Sequence, residues 1–167
     1  GLYFLAEKLI SVPISFITNA ISQVYFEKAS KLFYSNKHKL LILTNQIQTI
    51  IFLILFPCLL LISIFGENIF SILGDQWAEA GIMIKYFSVF ILIKNLYSPI
   101  SHIGDILNKQ KLLLFFNVSL VICQIASFYF LKNYGTIQIA LLTASCLGAI
   151  HYLILNEYMK SELARIS

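Results

Sequence analysis

A lysine in the middle of an apolar segment is the residue whose type and position indicate chemistry. Lys94 lies about midway along the stretch from Ala80 to Gly104. A charge inside a bilayer is costly, so it usually faces the interior of a helix bundle and marks a pathway. Tyr97, Ser98 and Ser101 follow Lys94 at helical spacing, on the same face. We therefore predict a cavity in which the ammonium group of Lys94 attracts an anionic group.

The first apolar segment carries a stripe of polar side chains. Its members are Glu7, Ser11, Ser15, Thr18 and Ser22. Spaced by three or four residues, they fall within about 80° of a helical wheel. Two interpretations remain open: hydroxyl groups that join neighbouring helices, or a helix face bordering a hydrated cavity. In the second interpretation the carboxyl group of Glu7 is a candidate for proton coupling.

Two amide side chains extend the candidate site to a later segment. Asn117 and Gln124 are seven residues apart and so share one helix face. With Tyr97 and Ser101 they are predicted to donate hydrogen bonds to a polar ligand. No Ser-His-Asp set, carboxylate pair, phosphate-binding glycine loop or metal-ligand spacing occurs. We therefore expect no catalytic residue, no cofactor and no metal, and we expect that the protein is not an enzyme.

The charge-free intervals define the elements that must position these residues. There are 27 residues without Asp, Glu, Lys or Arg between Lys39 and Glu67, 20 between Lys111 and Lys132, and 24 between Lys132 and Glu157. Roughly 20 apolar residues in a helix cross a hydrocarbon core of about 30 Å. These three intervals therefore predict three transmembrane helices.

Composition and two further apolar stretches complete an all-α, polytopic membrane bundle. The chain is 59% hydrophobic and 12% charged, with a mean hydropathy of +0.82, which excludes a soluble domain. The five predicted spans form one transmembrane region over residues 1–167. They cover approximately residues 2–26, 40–65, 80–104, 112–131 and 136–155.

The basic residues outside the spans predict the orientation. Eight of them fall on one side when connections alternate, and only Lys132, in the predicted tight turn 132–135, falls on the other. Basic residues in short loops stay cytoplasmic, so the C-terminus is expected in the cytosol. A basic cytoplasmic face beside anionic lipid headgroups then explains the net charge of +4, and we expect no nucleic acid as a partner.

Three regions resemble the polysaccharide (O-antigen, Wzx-type) flippases. An "FG" at Phe65 and Gly66, an amphipathic stretch and a "G-x-x-W-x-x-A" element from Gly74 to Ala80 are similar to an outer loop of that family. The start of the chain, through Pro13 and residues 20–24, looks like the helix that opens the second half of such proteins. The segment from Pro99 to Lys111 is similar to the family's next cytoplasmic connection.

The resemblance implies a fragment of a larger transporter. The family belongs to the multidrug/oligosaccharidyl-lipid/polysaccharide exporter superfamily, whose members have about twelve to fourteen helices in two lobes. This chain would be part of the C-terminal lobe, and its first partner the missing N-terminal half of the same protein. The implied localisation is a bacterial inner membrane, and the implied pathway is lipopolysaccharide O-antigen, capsule or exopolysaccharide synthesis.

The implied function is translocation of undecaprenyl-diphosphate-linked oligosaccharide repeat units from the inner to the outer leaflet. The lipid-linked repeat unit is then the substrate, and the polysaccharide polymerase machinery is a further expected partner. Two alternatives remain open at this stage. One is a multidrug or peptidoglycan-precursor exporter of the same architecture, and the other is a membrane glycosyltransferase or polymerase.

Overall fold

A computed structural model describes residues 2–131 and 136–165, which fold into six α-helices and one short 3-10 turn. The helices are α1 (Leu2–Ser35), α2 (Lys37–Ser71), α3 (Ala78–Ile84), α4 (Ser88–Ile106), α5 (Gln110–Leu131) and α6 (Ile137–Arg165). The 3-10 turn, Asp75–Trp77, leads into α3. No strand occurs in the described ranges, and the predicted all-α class is confirmed.

Four helices are long and apolar enough to cross a membrane, namely α1, α2, α5 and α6. α3, together with the 3-10 turn before it, meets α4 at a 60° bend. If this bent pair counts as one span, it provides a fifth crossing. The predicted span over residues 80–104 is therefore not one straight helix. It breaks at residues 85–87, where no helical segment is assigned.

The helices extend into segments that the charge pattern predicts to be connections between spans. α1 runs to Ser35, and Asn36 alone separates it from α2, where its side-chain Oδ1 caps the new helix by accepting from the backbone N–H of Lys39 at 2.9 Å. α2 likewise extends to Ser71. The charged residues here lie on helix ends that project beyond the apolar spans. The predicted turn at 132–135 lies outside the described residues.

Two separate apolar cores hold the ends of the bundle together. One contains side chains from the start of α1, the end of α2, α3 and the start of α4, including Ile10, Leu59 and Ile84. The other joins the end of α1, the start of α2, the α4–α5 turn and the end of α6, including Tyr25 and Met159. The second core brings the predicted basic connections to one end, here called the basic end. The first marks the opposite end, here called the acidic end, where the predicted connection 66–79 carries Glu67, Asp75 and Glu79.

The two glycines that flank the acidic connection lie in direct backbone contact. A Cβ atom built on Gly81 would lie 2.2 Å from the carbonyl oxygen of Gly66, and one built on Gly66 would lie 2.7 Å from that of Gly81. Real Cβ atoms do not approach so closely, so only glycine fits at this crossing. The "FG" and the residue after "G-x-x-W-x-x-A" are thus the two sides of one helix–helix contact.

α5 is the most peripheral helix. Of its side chains only Leu120 is buried, whereas Phe115, Ile122 and Phe130 are well exposed. In a bilayer such a surface is matched to lipid tails. α5 packs on α6 and approaches α4 near the basic end, where Leu113 covers Gly104. Farther from that end, the space between α5 and α4 opens into a cavity.

Candidate functional site

The cavity beside α5 has a volume of about 380 Å³ and is lined from four helices. α4 contributes Lys94, and α5 contributes Asn117 and Gln124. Glu7 of α1 and Ser145 of α6 also line it. The structure therefore brings together three of the five residues predicted to bind substrate, together with the predicted proton-coupling residue.

Lys94 carries the only basic side chain described around this cavity, and it is exposed. Its Nζ lies 5.9 Å from the ring centroid of Phe90, within the range of a cation–π contact. Among residues 2–131 and 136–165 it forms no ion pair. The ammonium group is thus available to an anion, and the neighbouring aromatic ring still gives it a favourable contact.

A smaller cavity of about 110 Å³ continues from Lys94 along α1. It is lined by Glu7, Ser11 and Ser15 on the α1 side and by Asn95 on the α4 side. Ser15 donates to the backbone oxygen of Val12 at 2.7 Å, which leaves its acceptor lone pairs free of that bond. The first three residues of the predicted stripe, Glu7, Ser11 and Ser15, therefore border a cavity.

The last two residues of the stripe, Thr18 and Ser22, join α1 to α4 instead. Thr18 is buried, and its Oγ1 lies 3.0 Å from Oδ1 of Asn95 on α4. Ser22 is also buried, and its hydroxyl is 3.2 Å from that of Ser98. Both interpretations of the stripe thus apply, each to a different part of α1. The change from cavity wall to interhelical contact falls between Ser15 and Thr18.

The structure does not place Tyr97 and Ser101 with Lys94. Tyr97 packs against Tyr152, with ring centroids 5.3 Å apart, and lines a different cavity beside α4. The hydroxyl of Ser101 donates to the backbone oxygen of Ser98 at 2.7 Å. Three residues turn a helix by about 300°, so Tyr97 is offset from Lys94 by about 60°. Because α4 borders both cavities, this offset moves Tyr97 to the second one.

Small residues of α6 make room for the wall of the Lys94 cavity. Ala140, Ala144 and Gly148 follow one another at intervals of four residues and are buried, as expected for close helix packing. The ring of Phe90 lies on Gly148, where an added Cβ would come within 2.5 Å of it. Gly148 therefore sets the position of the aromatic ring that contacts Lys94.

The second cavity lies between α2, α4 and α6, towards the basic end, and has a volume of about 290 Å³. Gln48 of α2 donates from Nε2 to Oδ1 of Asn156 on α6 at 2.7 Å. Asn156 was not singled out from the sequence, since its partner is 108 positions away along the chain. The sequence offers one weak indication of its role: Asn156 is an amide directly after the predicted span 136–155, next to charged residues.

The described residues show no group of three or more His, Cys, Asp or Glu side chains that could hold a metal ion. The three cysteines, Cys58, Cys123 and Cys146, are exposed on separate helices. The described polar groups that line the Lys94 cavity are one ammonium group, one carboxyl group and several amide and hydroxyl groups. Such a set binds polar ligands through charge and hydrogen bonds.

The long apolar helices define a multi-pass membrane protein. Residues 1–82, out of 167, match the model of a family described as polysaccharide biosynthesis protein. This match confirms the resemblance at the level of that polysaccharide family, and it covers α1, α2 and the glycine crossing between α2 and α3. Searches of the curated proteins and of the solved structures gave no match.

Proposed function

We propose that this chain is part of a flippase that carries undecaprenyl-diphosphate-linked oligosaccharide repeat units across the bacterial cytoplasmic membrane. The observation that carries the proposal is the exposed ammonium group of Lys94, which lines a polar cavity inside a bundle of membrane-spanning length. The match of residues 1–82 to a polysaccharide biosynthesis family supports a sugar-linked substrate.

The chemistry of the cavity suits the headgroup of such a substrate. A diphosphate and its sugars cannot cross hydrocarbon unaided, because charges and unpaired polar groups there are very costly. Lys94 supplies a positive charge for a phosphate or an acidic sugar. Asn117 and Gln124 supply amide donors and acceptors for sugar hydroxyls, and the apolar tail stays in lipid beside the exposed face of α5.

A transport role fits these residues better than an enzymatic one. A glycosyltransferase or polymerase needs positioned carboxylates or arginines at a reacting bond. Here Glu7 is the one carboxylate described around the Lys94 cavity. An exporter of cationic drugs would favour an acidic cavity, whereas the charged residues described around this cavity are one lysine and one glutamate. The alternating movement would involve this lobe and the N-terminal half implied by the resemblance.

The direct test is complementation of a deletion strain with the full-length gene. Lys94→Ala should fail to restore surface polysaccharide at matched membrane levels and should leave single lipid-linked repeat units on the cytoplasmic side. Loss of a charge-assisted contact corresponds to about tenfold or more in transport rate. The matched control is Lys85→Ala, which removes an exposed lysine that contacts Tyr86 at the helix break.

Two results would contradict the proposal. Full restoration by Lys94→Ala would remove that residue from the pathway. A deletion strain with normal surface glycan and no trapped lipid-linked repeat would exclude polysaccharide transport altogether, and would favour a drug exporter of the same architecture.

A further inference from the structure

The cavity at the basic end is a second concentration of polar groups, next to the Lys94 cavity and sharing Tyr152 with it. Its polar lining consists of Asn45, Gln48, Thr49, Tyr97, Asn156 and Lys160. They come from three helices that meet near the predicted cytoplasmic surface. Apolar side chains such as Phe52, Ile93 and Leu96 form the rest of the wall.

The polar groups of this cavity are organised but incompletely paired. Gln48 Nε2 donates both to Asn156 Oδ1 at 2.7 Å and to the backbone oxygen of Leu96 at 3.1 Å, which fixes the two amides across the cavity wall. Tyr97 is only 6% exposed, and within the described part of the chain its hydroxyl has no hydrogen-bond partner. A buried polar group without a partner is unfavourable and calls for an explanation such as a ligand or water.

An aromatic side chain separates the two cavities. Tyr152 lines both of them. Its ring centroid lies 5.3 Å from that of Tyr97 and 6.0 Å from that of Phe90. Phe90 belongs to the Lys94 cavity, whereas Tyr97 belongs to the one at the basic end. A ligand moving between the two cavities would have to displace these rings.

We propose that the basic-end cavity is a second binding site, which receives an anionic sugar headgroup before it reaches Lys94. This inference rests on the proposed flippase function and adds a site to it. Amide and hydroxyl groups such as those of Asn45, Gln48 and Thr49 pair with sugar hydroxyls. Lys160 supplies the positive charge for a phosphate or carboxylate. Tyr152 keeps the two sites separate until the headgroup passes.

Cysteine protection tests for occupancy of this site. In the full-length protein, every native cysteine, including Cys58, Cys123 and Cys146, would be replaced by alanine, and Thr49→Cys would be introduced in the cavity. Inside-out vesicles would be treated with a membrane-impermeant maleimide, with or without undecaprenyl-diphospho-N-acetylglucosamine as the probe. The control is Tyr34→Cys, which replaces a residue 88% exposed at the same end, outside both cavities.

We expect the probe to slow labelling of Thr49→Cys and to leave Tyr34→Cys unchanged. Adding Gln48→Leu or Lys160→Ala should raise the probe concentration needed for protection by about fivefold to tenfold, since each removes a polar contact. Phosphatidylglycerol added in place of the probe should not protect Thr49→Cys from labelling. Equal protection by phosphatidylglycerol would overturn sugar recognition, because a lipid phosphate would then be sufficient.

The outcomes for the second site and for the flippase can be told apart. Unprotected Thr49→Cys, with export that still depends on Lys94, would overturn the second site and leave the flippase standing. Export that does not depend on Lys94 would overturn the flippase whatever the labelling shows. If the cysteine-free protein does not reach the membrane, export by Gln48→Leu in the native background decides: unchanged export overturns the second site.

Discussion

Lys94 and Glu7 line the same two cavities, yet the described residues show no ion pair between them. Opposite charges that share a cavity without direct contact leave each group able to bind something else. For Lys94 we propose an anion as that ligand. For Glu7, at the start of α1, we propose a role in coupling transport to protons. The two residues thus suggest how substrate binding and proton uptake could be coupled.

Glu7→Gln tests that coupling, because the amide keeps the size of the side chain and cannot titrate. If transport is driven by protons, the variant should lose its response to an imposed pH gradient while substrate still binds at Lys94. The measurement is translocation in proteoliposomes with and without the gradient. Glu67→Gln is the matched control, since Glu67 is exposed at the acidic end, outside both cavities. A normal gradient response in Glu7→Gln would exclude this residue from coupling.

At the scale of the elements, the α2–α3 crossing depends on glycine more than any other contact. A methyl group on Gly81 would collide with the backbone of Gly66, which has no flexible end that can move away. At Gly104 the colliding atom, 2.4 Å from an added Cβ, is Cδ1 of Leu113, the tip of a flexible side chain. The two positions therefore differ in how easily they accommodate alanine.

Gly81→Ala should lower the thermal stability of the purified full-length protein clearly more than Gly104→Ala. Forced backbone separation resembles overpacking, which costs about 1–3 kcal/mol. Rotamer adjustment of Leu113 offsets most of the clash at Gly104. The melting temperature in detergent would report the difference, with membrane yield as a second measure. Equal melting temperatures for both variants would show that α2 and α3 are free to separate.

The sequence predicts part of the site because helical spacing determines which side chains share a face. Lys94, Asn117 and Gln124 could be associated because each is polar within an apolar span. Tyr97 lines the other cavity, which spacing along one helix does not reveal because it does not show how many cavities border α4. Asn156 was missed because its role depends on which helices are neighbours. The break at residues 85–87 was missed because hydropathy does not record bending.

At the scale of the whole molecule, the two apolar cores lie at opposite ends and polar contacts join the helices as well. Thr18–Asn95 and Ser22–Ser98 join α1 to α4, and Gln48–Asn156 joins α2 to α6. The basic end also carries an ion pair between Lys109 and Glu162, with a 3.5 Å distance between Nζ and Oε2. It joins the α4–α5 turn to α6. This arrangement fits a bundle whose basic connections face one side of the membrane.

Labelling from each side tests the predicted orientation. Single cysteines at Tyr34 and Gln76 mark the basic and acidic ends, and both positions are exposed. An impermeant maleimide should label Tyr34→Cys only in inside-out vesicles and Gln76→Cys only in intact cells, because basic loops remain cytoplasmic. Labelling of both from the same side would mean that α2 does not cross the membrane.

The backbone contact between Gly66 and Gly81 also has a consequence for movement. With no side-chain layer between them, we expect α2 and α3 to move as one unit. The chain turns by 60° at the three-residue gap between α3 and α4, about two helical turns from Lys94. We therefore expect a change of angle at this gap to move Lys94 relative to α2 and α3.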